Sequence, residues 1–487
     1  MALSLILALS AAAWQTPETE AAPTPPAEVS RPNIIWIFTE DMNAWMGCYG
    51  DNTVATPNID SIAASGVRFD RAYMPAGVCS ATRSAIALGA MQTSMGVHNH
   101  RSSRKRVPEE VIHLPEGVQT VYELMRANGY FVCSQGAKKN DFNFVFDVNS
   151  LYDVNIGKTA VPQWRKRPDG KPFFAQIQLW GGKSKVKLEQ RVDPATVEVM
   201  PYYPDHEIYR KEIAHHYDCV KQTDNEVGVV LDALREDGLL ENTVVFFWTD
   251  HGMRLPRHKQ WLYEGGIRVP LVVMGPGIEN ASEEKVAEGQ PESGVRTDLV
   301  SGIDITVSTL ALAGAEIPSY MEGRNLFADD HQPRDFVISA RDRCDYTIDR
   351  VRAVTTKRYK YLRNFLTDRP FMQAQYRDGR PAIEIGRQLY EQGKLNDVQA
   401  FIWNPVRVDE ELYDLENDPH EIHNLAKDSE YADVLQQHRD ILSRWIEESG
   451  DQGLHPESLD SLRGVWKRWS KKAVNPEFDE LRQSESR

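Results

Sequence analysis

Cys79 and Arg83 stand four residues apart in AGVCSATRSAIALGA (76–90), a run of small and apolar residues that reads as a buried helix. Residues i and i+4 share a helix face, so the thiol and the guanidinium point the same way. A cysteine at a helix N-terminus beside an arginine has a lowered pKa and is a candidate thiolate nucleophile. Two acidic pairs bring a second chemistry: Glu40 and Asp41 follow the apolar run of NIIWIFTED (33–41), and Asp250 and His251 follow that of TVVFFWTDHG (243–252). Three carboxylates and an imidazole form a hard, oxygen-rich donor set suited to Ca²⁺ or Mg²⁺, and the nitrogen also admits Mn²⁺. Thiolates pair poorly with such cations, so a different chemical species at position 79 would fit the set better.

Further cations are spaced to join this centre. Lys138 and Lys139 in GAKKNDFNF, and Lys259 and Arg268 in RHKQWLYEGGIRVPLVV, could line a pocket around a tetrahedral oxyanion together with Arg83. The basic run HNHRSSRKR (98–106), with His98, His100 and Arg101, would suit a polyanionic ligand.

The elements that must position these residues are legible as hydrophobic patterns. Both acidic pairs end continuous apolar runs, the pattern of parallel strands buried on both faces. Between them, Ile213, Tyr217, Val220, Val227, Leu231 and Leu234 recur at helical steps, and GVQTVYELMRANGY leads to a strand at FVCS. Such alternation predicts an α/β fold with an open, mostly parallel sheet flanked by helices. Ligands of these sheets bind beyond the carboxyl ends of the strands, so Glu40, Asp41, Asp250 and His251 are expected to converge. From about residue 336 the stretch FVISARDRCDYTIDRVRAVTTKRYKYLRNF alternates apolar and polar residues as antiparallel strands do, and EYADVLQQHRDILSRWIEES reads as an amphipathic helix. A smaller C-terminal α+β domain built on an antiparallel sheet is therefore expected.

The organisation read from the chain is a signal peptide over 1–13, a Pro-rich linker over 14–31, a catalytic domain over 32–335, the α+β unit over 336–451, and a charged tail over 452–487 with little core material. The leader places the protein in an exported, periplasmic or secreted setting. No other apolar run is long enough for a membrane span. With 487 residues, 41% hydrophobic content and 26% charged residues, the chain can bury a large core. A net charge of −15 argues against a general nucleic-acid binder. Five cysteines do not make a disulfide scaffold, and buried thiols or a single bridge both stand open.

The run Cys79-Ser80-Ala81-Thr82-Arg83 resembles C-x-P/A-x-R, the signature of type I sulfatases of the alkaline phosphatase superfamily. RPNIIWIFTEDMNAWMGCYGD, TPNIDSIAASGVRFDRAY, LLENTVVFFWTDHG, KQWLYEGGIRVPLVV and ELYDLENDPHEIHNLA look like segments of that family in the same order. The resemblance implies that a maturation enzyme oxidises Cys79 to formylglycine (3-oxoalanine), hydrated to a gem-diol that binds the metal and attacks the sulfur of a sulfated saccharide. It places Glu40, Asp41, Asp250 and His251, with position 79, at the metal-ligand positions, Ca²⁺ being the usual ion. Arg83 and Lys139 would hold the gem-diol, and Lys259 the substrate sulfate.

Two histidines usual in the family are absent. Asp141 stands where K-x-H would have its histidine, and Gly181-Gly182-Lys183 follows the strand PFFAQIQLW. Lys183 would supply the leaving-group proton, or a sulfate contact, if neighbouring cations depress its pKa, and His98 or His100 is the rival acid. His98, Arg101, Asp141 and Arg268 are the candidate substrate contacts. The stretch VMPYYPDHEIYRKEIAHHYDCVKQTDNEVGVVLDAL resembles N-sulfoglucosamine sulfohydrolases within the family. O-sulfate polysaccharide sulfatases, phosphonate or phosphodiester hydrolases and a non-catalytic binder of sulfated glycans are the rival readings. The sequence does not disclose the oligomeric state.

Overall fold

A computed structural model describes residues 31–100, 111–136, 140–157, 161–278 and 294–485. The expected leader and most of the linker, together with Arg101, Lys138 and Lys139, lie outside the described residues.

The two apolar runs form neighbouring parallel strands, β1 (Asn33–Thr39) and β7 (Thr243–Thr249), paired residue for residue from Asn33 opposite Thr243 to Thr39 opposite Thr249. That register sets Glu40 and Asp41 directly beside Asp250 and His251. Around them the main sheet adds β2 (Gly66–Phe69), β4 (Phe131–Gly136), β5 (Val154–Ile156), β6 (Phe173–Gln178), β9 (Leu271–Met274) and β10 (Val295–Arg296). The order is β10-β2-β9-β7-β1-β6-β4-β5, parallel throughout except where β9 runs against β2 and β7.

Both faces of this sheet are buried, as the continuous apolar runs require. Ile34, Trp36 and Phe38 of β1 pack with Phe246 and Trp248 and with Ile86 and Leu88 of the Cys79–Leu88 helix. On the opposite face Ile35 and Ile37 pack with Ile59 and Ile62 of the Pro57–Ala64 helix and with Ile213, Val220, Val227 and Leu231 of the Glu207–Glu236 helix. Three short strands, β3 (Ala72–Tyr73), β8 (Arg268–Val269) and β11 (Val300–Ser301), form a separate small sheet in the order β11-β3-β8.

The later part of the chain is the expected antiparallel sheet, β12 (Phe336–Arg341), β13 (Val351–Thr356), β14 (Tyr359–Asn364) and β15 (Glu410–Asp414), in sequence order. Val337, Val351, Ala353, Leu362 and Tyr413 of this sheet pack with Trp261, Leu262, Tyr263 and Ile267, the segment that follows Lys259. On the sheet's other face lie Leu435 and Leu442 of the amphipathic helix Ala432–Ser449. The alternation expected to run through FVISARDRCDYTIDR stops at Arg341, and residues 342–350 form a buried loop.

The tail departs from the expectation of little core material. Leu462, Val465 and Trp466 of the Leu459–Trp469 helix, with Phe478 and Leu481, enclose Tyr346 and Ile348 from that same loop. The alternation of Lys and Arg with these apolar residues hides a narrow but complete helical stripe. Because Trp466 is buried there, Trp466→Ala should cost about 3 kcal/mol in chemical denaturation. A loss below about 0.5 kcal/mol would show that the tail is not part of the cooperative core. All five cysteines are free thiols, so no bridge contributes. Among the described residues no helix is long and apolar enough to cross a membrane.

Candidate active site

Beyond the carboxyl ends of β1 and β7, the side chains of Glu40, Asp41, Asp250 and His251 are all fully buried. Asp41 takes a left-handed backbone, φ 57°, and its N–H donates to Asp250 Oδ1 at 3.2 Å, which closes the two strand ends into one turn. Cys79 opens the Cys79–Leu88 helix, as the spacing predicts, and is 2% exposed. Its Sγ, an Asp250 carboxylate oxygen and a His251 ring nitrogen lie within 4.8 Å of one another. The thiol marks where a side chain at position 79 enters the centre.

Three cations are interleaved with the three carboxylates. Arg83, one turn along from Cys79, donates Nε and Nη2 to Asp250 Oδ2 at 3.0 and 2.9 Å and places Nη2 3.2 Å from Glu40 Oε1. Its guanidinium also lies 5.0 Å from the centroid of the Phe38 ring. Lys259 donates to Asp41 Oδ1 at 2.9 Å and to Cys79 Sγ at 3.8 Å. Lys183 donates to Glu40 Oε2 and stands 3.3 Å from Asp41 Oδ1. Gln178, at the end of β6, donates Nε2 to Glu40 Oε1 at 2.7 Å.

These contacts set the protonation states. Burial alone would raise the Asp41 pKa, but Lys183 and Lys259, with His251, hold it far below the usual carboxylate range. For Lys183 burial works the other way, and Asp41 with the groups at 79 and 40 more than offsets it, so its pKa is raised. This corrects the expectation that neighbouring cations would depress it: carboxylates are its nearest neighbours. Arg83 and Lys259 are likewise held charged against their burial, chiefly by Glu40 and Asp250 and by Asp41 respectively.

The donor set fits a hard divalent cation. His251 Nδ1 lies 2.9 Å from the Gly252 carbonyl, which only accepts, so Nδ1 carries the hydrogen and Nε2 presents its lone pair. That Nε2 and Asp41 Oδ2 are buried atoms without a hydrogen-bond partner. Nε2 faces Asp41 Oδ1 at 3.3 Å and Asp250 Oδ1 at 3.5 Å, so the lone pair and the carboxylate oxygens converge on one point.

His100 is not the surface residue that its basic run suggests. It is fully buried, its Nε2 is 4.0 Å from Cys79 Sγ, its Nδ1 is 3.3 Å from Asp345 Oδ2, and its ring stacks on Tyr376. Burial lowers its pKa, yet Cys344 and Asp345 outweigh that and raise it well above the ordinary histidine value. Cys344 and Asp345 belong to the loop after β12 and were not foreseen from the sequence; their one local signal is the break in strand alternation at DRCD. Arg377, also unforeseen, donates Nη2 to the carbonyl of Lys259 at 3.0 Å and to Gln260 Oε1 at 2.9 Å. Gly77 lets the 259–261 segment approach: a Cβ there would meet the Trp261 carbonyl oxygen at 2.5 Å.

The other expected contacts fall in different places. His98 lines a cleft with Asp342, Arg343, Arg350 and Glu457, and burial lowers its pKa. Asp141 is buried with φ 65°, in a segment anchored on the Cys79–Leu88 helix by the bond from Asn143 N–H to Ser84 Oγ, 2.9 Å. Arg268 is exposed on β8, donates to the Asp70 carbonyl at 2.9 Å and lies 3.5 Å from Glu264, which assigns it to the edge of the small sheet and not to the cation cluster. Lys139 and Arg101 fall outside the described residues.

With this geometry in view, comparison with known proteins is direct. The family model described as Sulfatase matches residues 32–315. An ulvan-active sulfatase of Formosa agariphila is 30% identical over 482 residues, covering 90% of this chain and 78% of its own. Human N-sulphoglucosamine sulphohydrolase is 26% identical over 471 residues, covering 86% and 90%. Among solved structures, that of a 2-O GAG sulfatase superposes with a TM-score of 0.63 at 21% identity, covering 89% of this chain and 96% of the other.

Proposed function

The chain belongs to the sulfatase family and is a sulfuric ester hydrolase; from that premise we propose that it is an exported, formylglycine-dependent enzyme that removes sulfate from a sulfated saccharide. The observation that carries this reading is the convergence on Cys79 of three carboxylates, His251, and three buried or half-buried cations. The ulvan-active relative and the human N-sulphoglucosamine relative both support a sulfated glycan as substrate. An N-sulfoglucosamine-type sulfamate and a polysaccharide O-sulfate ester are the two substrate classes to separate.

Glu40, Asp41, Asp250 and His251 would hold the divalent cation, with Ca²⁺ favoured by the oxygen-rich set and Mg²⁺ or Mn²⁺ as alternatives. When bound, that cation supplies Lewis-acid charge beside position 79. Oxidation of Cys79 by a maturation enzyme supplies a hydrated aldehyde as the oxygen nucleophile. The residues of the chain then have separable tasks. Arg83 holds the nucleophile's developing charge together with the helix N-terminus. Lys259, and Lys183 as a fixed cation, bind the sulfate oxygens. His100 Nε2 holds a hydroxyl at position 79, with Asp345 orienting the ring through Nδ1. Lys139 completes the set from outside the described residues.

Sulfate release from a panel of N-, 2-O-, 3-O-, 4-O- and 6-O-sulfated saccharides, beside an aryl phosphonate, tests the proposal. Faster turnover of the phosphonate than of every sulfate would overturn it, and so would tight glycan binding without release by formylglycine-bearing protein. Metal dependence gives a second test. Chelator-treated enzyme should lose activity, and Ca²⁺ at a hundred times its Kd should return it while adding about 2.7 kcal/mol of stability. Full activity after exhaustive chelation would remove the cation from the mechanism.

A further inference from the structure

Beside the site lies a cavity of about 390 Å³ lined by Trp180, Lys183, Ser184, Lys185, Lys187 and Glu226. Its volume is in the range of small-ligand pockets. Lys183 belongs to both places, since its ammonium meets Glu40 and Asp41 while its flank walls the cavity. Ser184 is 7% exposed and its Oγ is buried without a hydrogen-bond partner. Trp180 is 41% exposed, an unusual state for an indole in a wall whose other members, three lysines, Ser184 and Glu226, are all polar.

The backbone under this tryptophan is locked to the candidate metal ligands. Leu179 N–H donates to the Phe38 carbonyl at 2.9 Å, and Gly182 N–H to the Glu40 carbonyl at 2.8 Å. A Cβ at position 182 would sit 2.1 Å from the Asp41 carbonyl oxygen, so only glycine permits this seat. The backbone that carries the exposed indole is thus held in register with the reacting centre, which limits the ordering entropy lost on binding to that of the side chain. An aromatic face suits the apolar face of a pyranose ring, and Lys185 and Lys187, both exposed, place positive charge along its edge. Glu226, hydrogen-bonded to Gln222 at 3.3 Å, bounds the cavity with a single opposing charge.

Resting on the reading of the site as a glycan sulfatase, we infer that Trp180, Ser184, Lys185 and Lys187 form a subsite for the sugar next to the one that loses sulfate, and that this neighbouring sugar carries an anionic group, a carboxylate or a second sulfate. Trp180 stacks on its ring, Ser184 Oγ bonds a hydroxyl, and the lysines pair with the anion. Substrates extended by such a sugar gain affinity; isolated sulfated monosaccharides do not reach the subsite.

The test compares a sulfated monosaccharide with three disaccharides in which the second sugar is neutral, carries a uronate, or carries a sulfate. In Trp180→Ala the ratio of kcat/KM for the anionic disaccharides to that for the monosaccharide should fall about tenfold. Lys185→Ala/Lys187→Ala should lower that ratio for the anionic disaccharides and leave the ratio for the neutral one in place, with an effect that shrinks as salt is raised. The uronate and sulfate arms show which anion the subsite prefers. Unchanged ratios in both variants would overturn the inference. Calorimetric binding of the uronate disaccharide separates this from a failure of the sulfatase reading: Trp180-dependent binding with no sulfate release by any arm keeps the subsite and removes the activity, whereas release with Trp180-independent binding does the reverse.

Discussion

Cys79→Ala is expected to abolish sulfate release, by about 10⁴-fold or more, because the proposed mechanism takes its nucleophile from the group at this position. The exchange removes one buried sulfur, so the folded state should lose only about 1 kcal/mol, and a thermal melt will separate lost chemistry from lost structure. Such a result alone would not distinguish a thiolate from an oxygen nucleophile. The distinction comes from the wild-type protein, whose tryptic peptide Ala72–Arg83 should show the mass change of a CH₂SH group converted to CHO. Fully active protein with the thiol intact would refute the proposed nucleophile.

Arg83→Ala has the largest expected effect on folding. The guanidinium is 3% exposed and serves Asp250 and Glu40, both fully buried. Removing it strands two carboxylates in a buried site where, among the described residues, Lys183 and Lys259 are left to answer three acids. Truncating one member of a buried charge pair costs about 3–5 kcal/mol, because the partner stays desolvated. Added Ca²⁺ should return part of that loss by supplying charge at the same carboxylates, and it should do so more strongly in the variant than in wild type. Arg83→Lys should recover stability better than activity, since an ammonium restores charge without the two-pronged geometry. Equal Ca²⁺ stabilisation of wild type and Arg83→Ala would show that the cation does not act at these carboxylates.

Much of this centre could be read from local pattern. The apolar runs at 33–39 and 243–249 announce strands buried on both faces, and the rule that ligands gather at strand ends brings Glu40, Asp41, Asp250 and His251 together from pattern alone. The i, i+4 relation of Cys79 and Arg83 needed only helix geometry. What stayed hidden was set by partners far along the chain. His100 is buried because Asp345 and Tyr376 meet it there, and neither leaves a periodic mark near residue 100. The charge on Lys183 depends on carboxylates at 40 and 41, which composition around 183 does not reveal. Arg268 looked available from its position after Lys259, but short-strand pairing of β3 with β8 carries it to an edge. The tail's core was masked by its own charges, since Trp466, Val465 and Phe478 find their apolar neighbours in a loop more than a hundred residues earlier.

The burial of Cys79 has a consequence for how the protein must be made. At 2% exposure, under Lys259 and the helix it begins, the thiol offers no surface to another enzyme once the chain has closed. Oxidation at this position would therefore compete with folding: a nascent chain that collapses first keeps its sulfur permanently. Under the proposed mechanism specific activity would record the timing of synthesis, so protein made faster than position 79 is oxidised should be well folded, homogeneous by melting temperature, and partly inert.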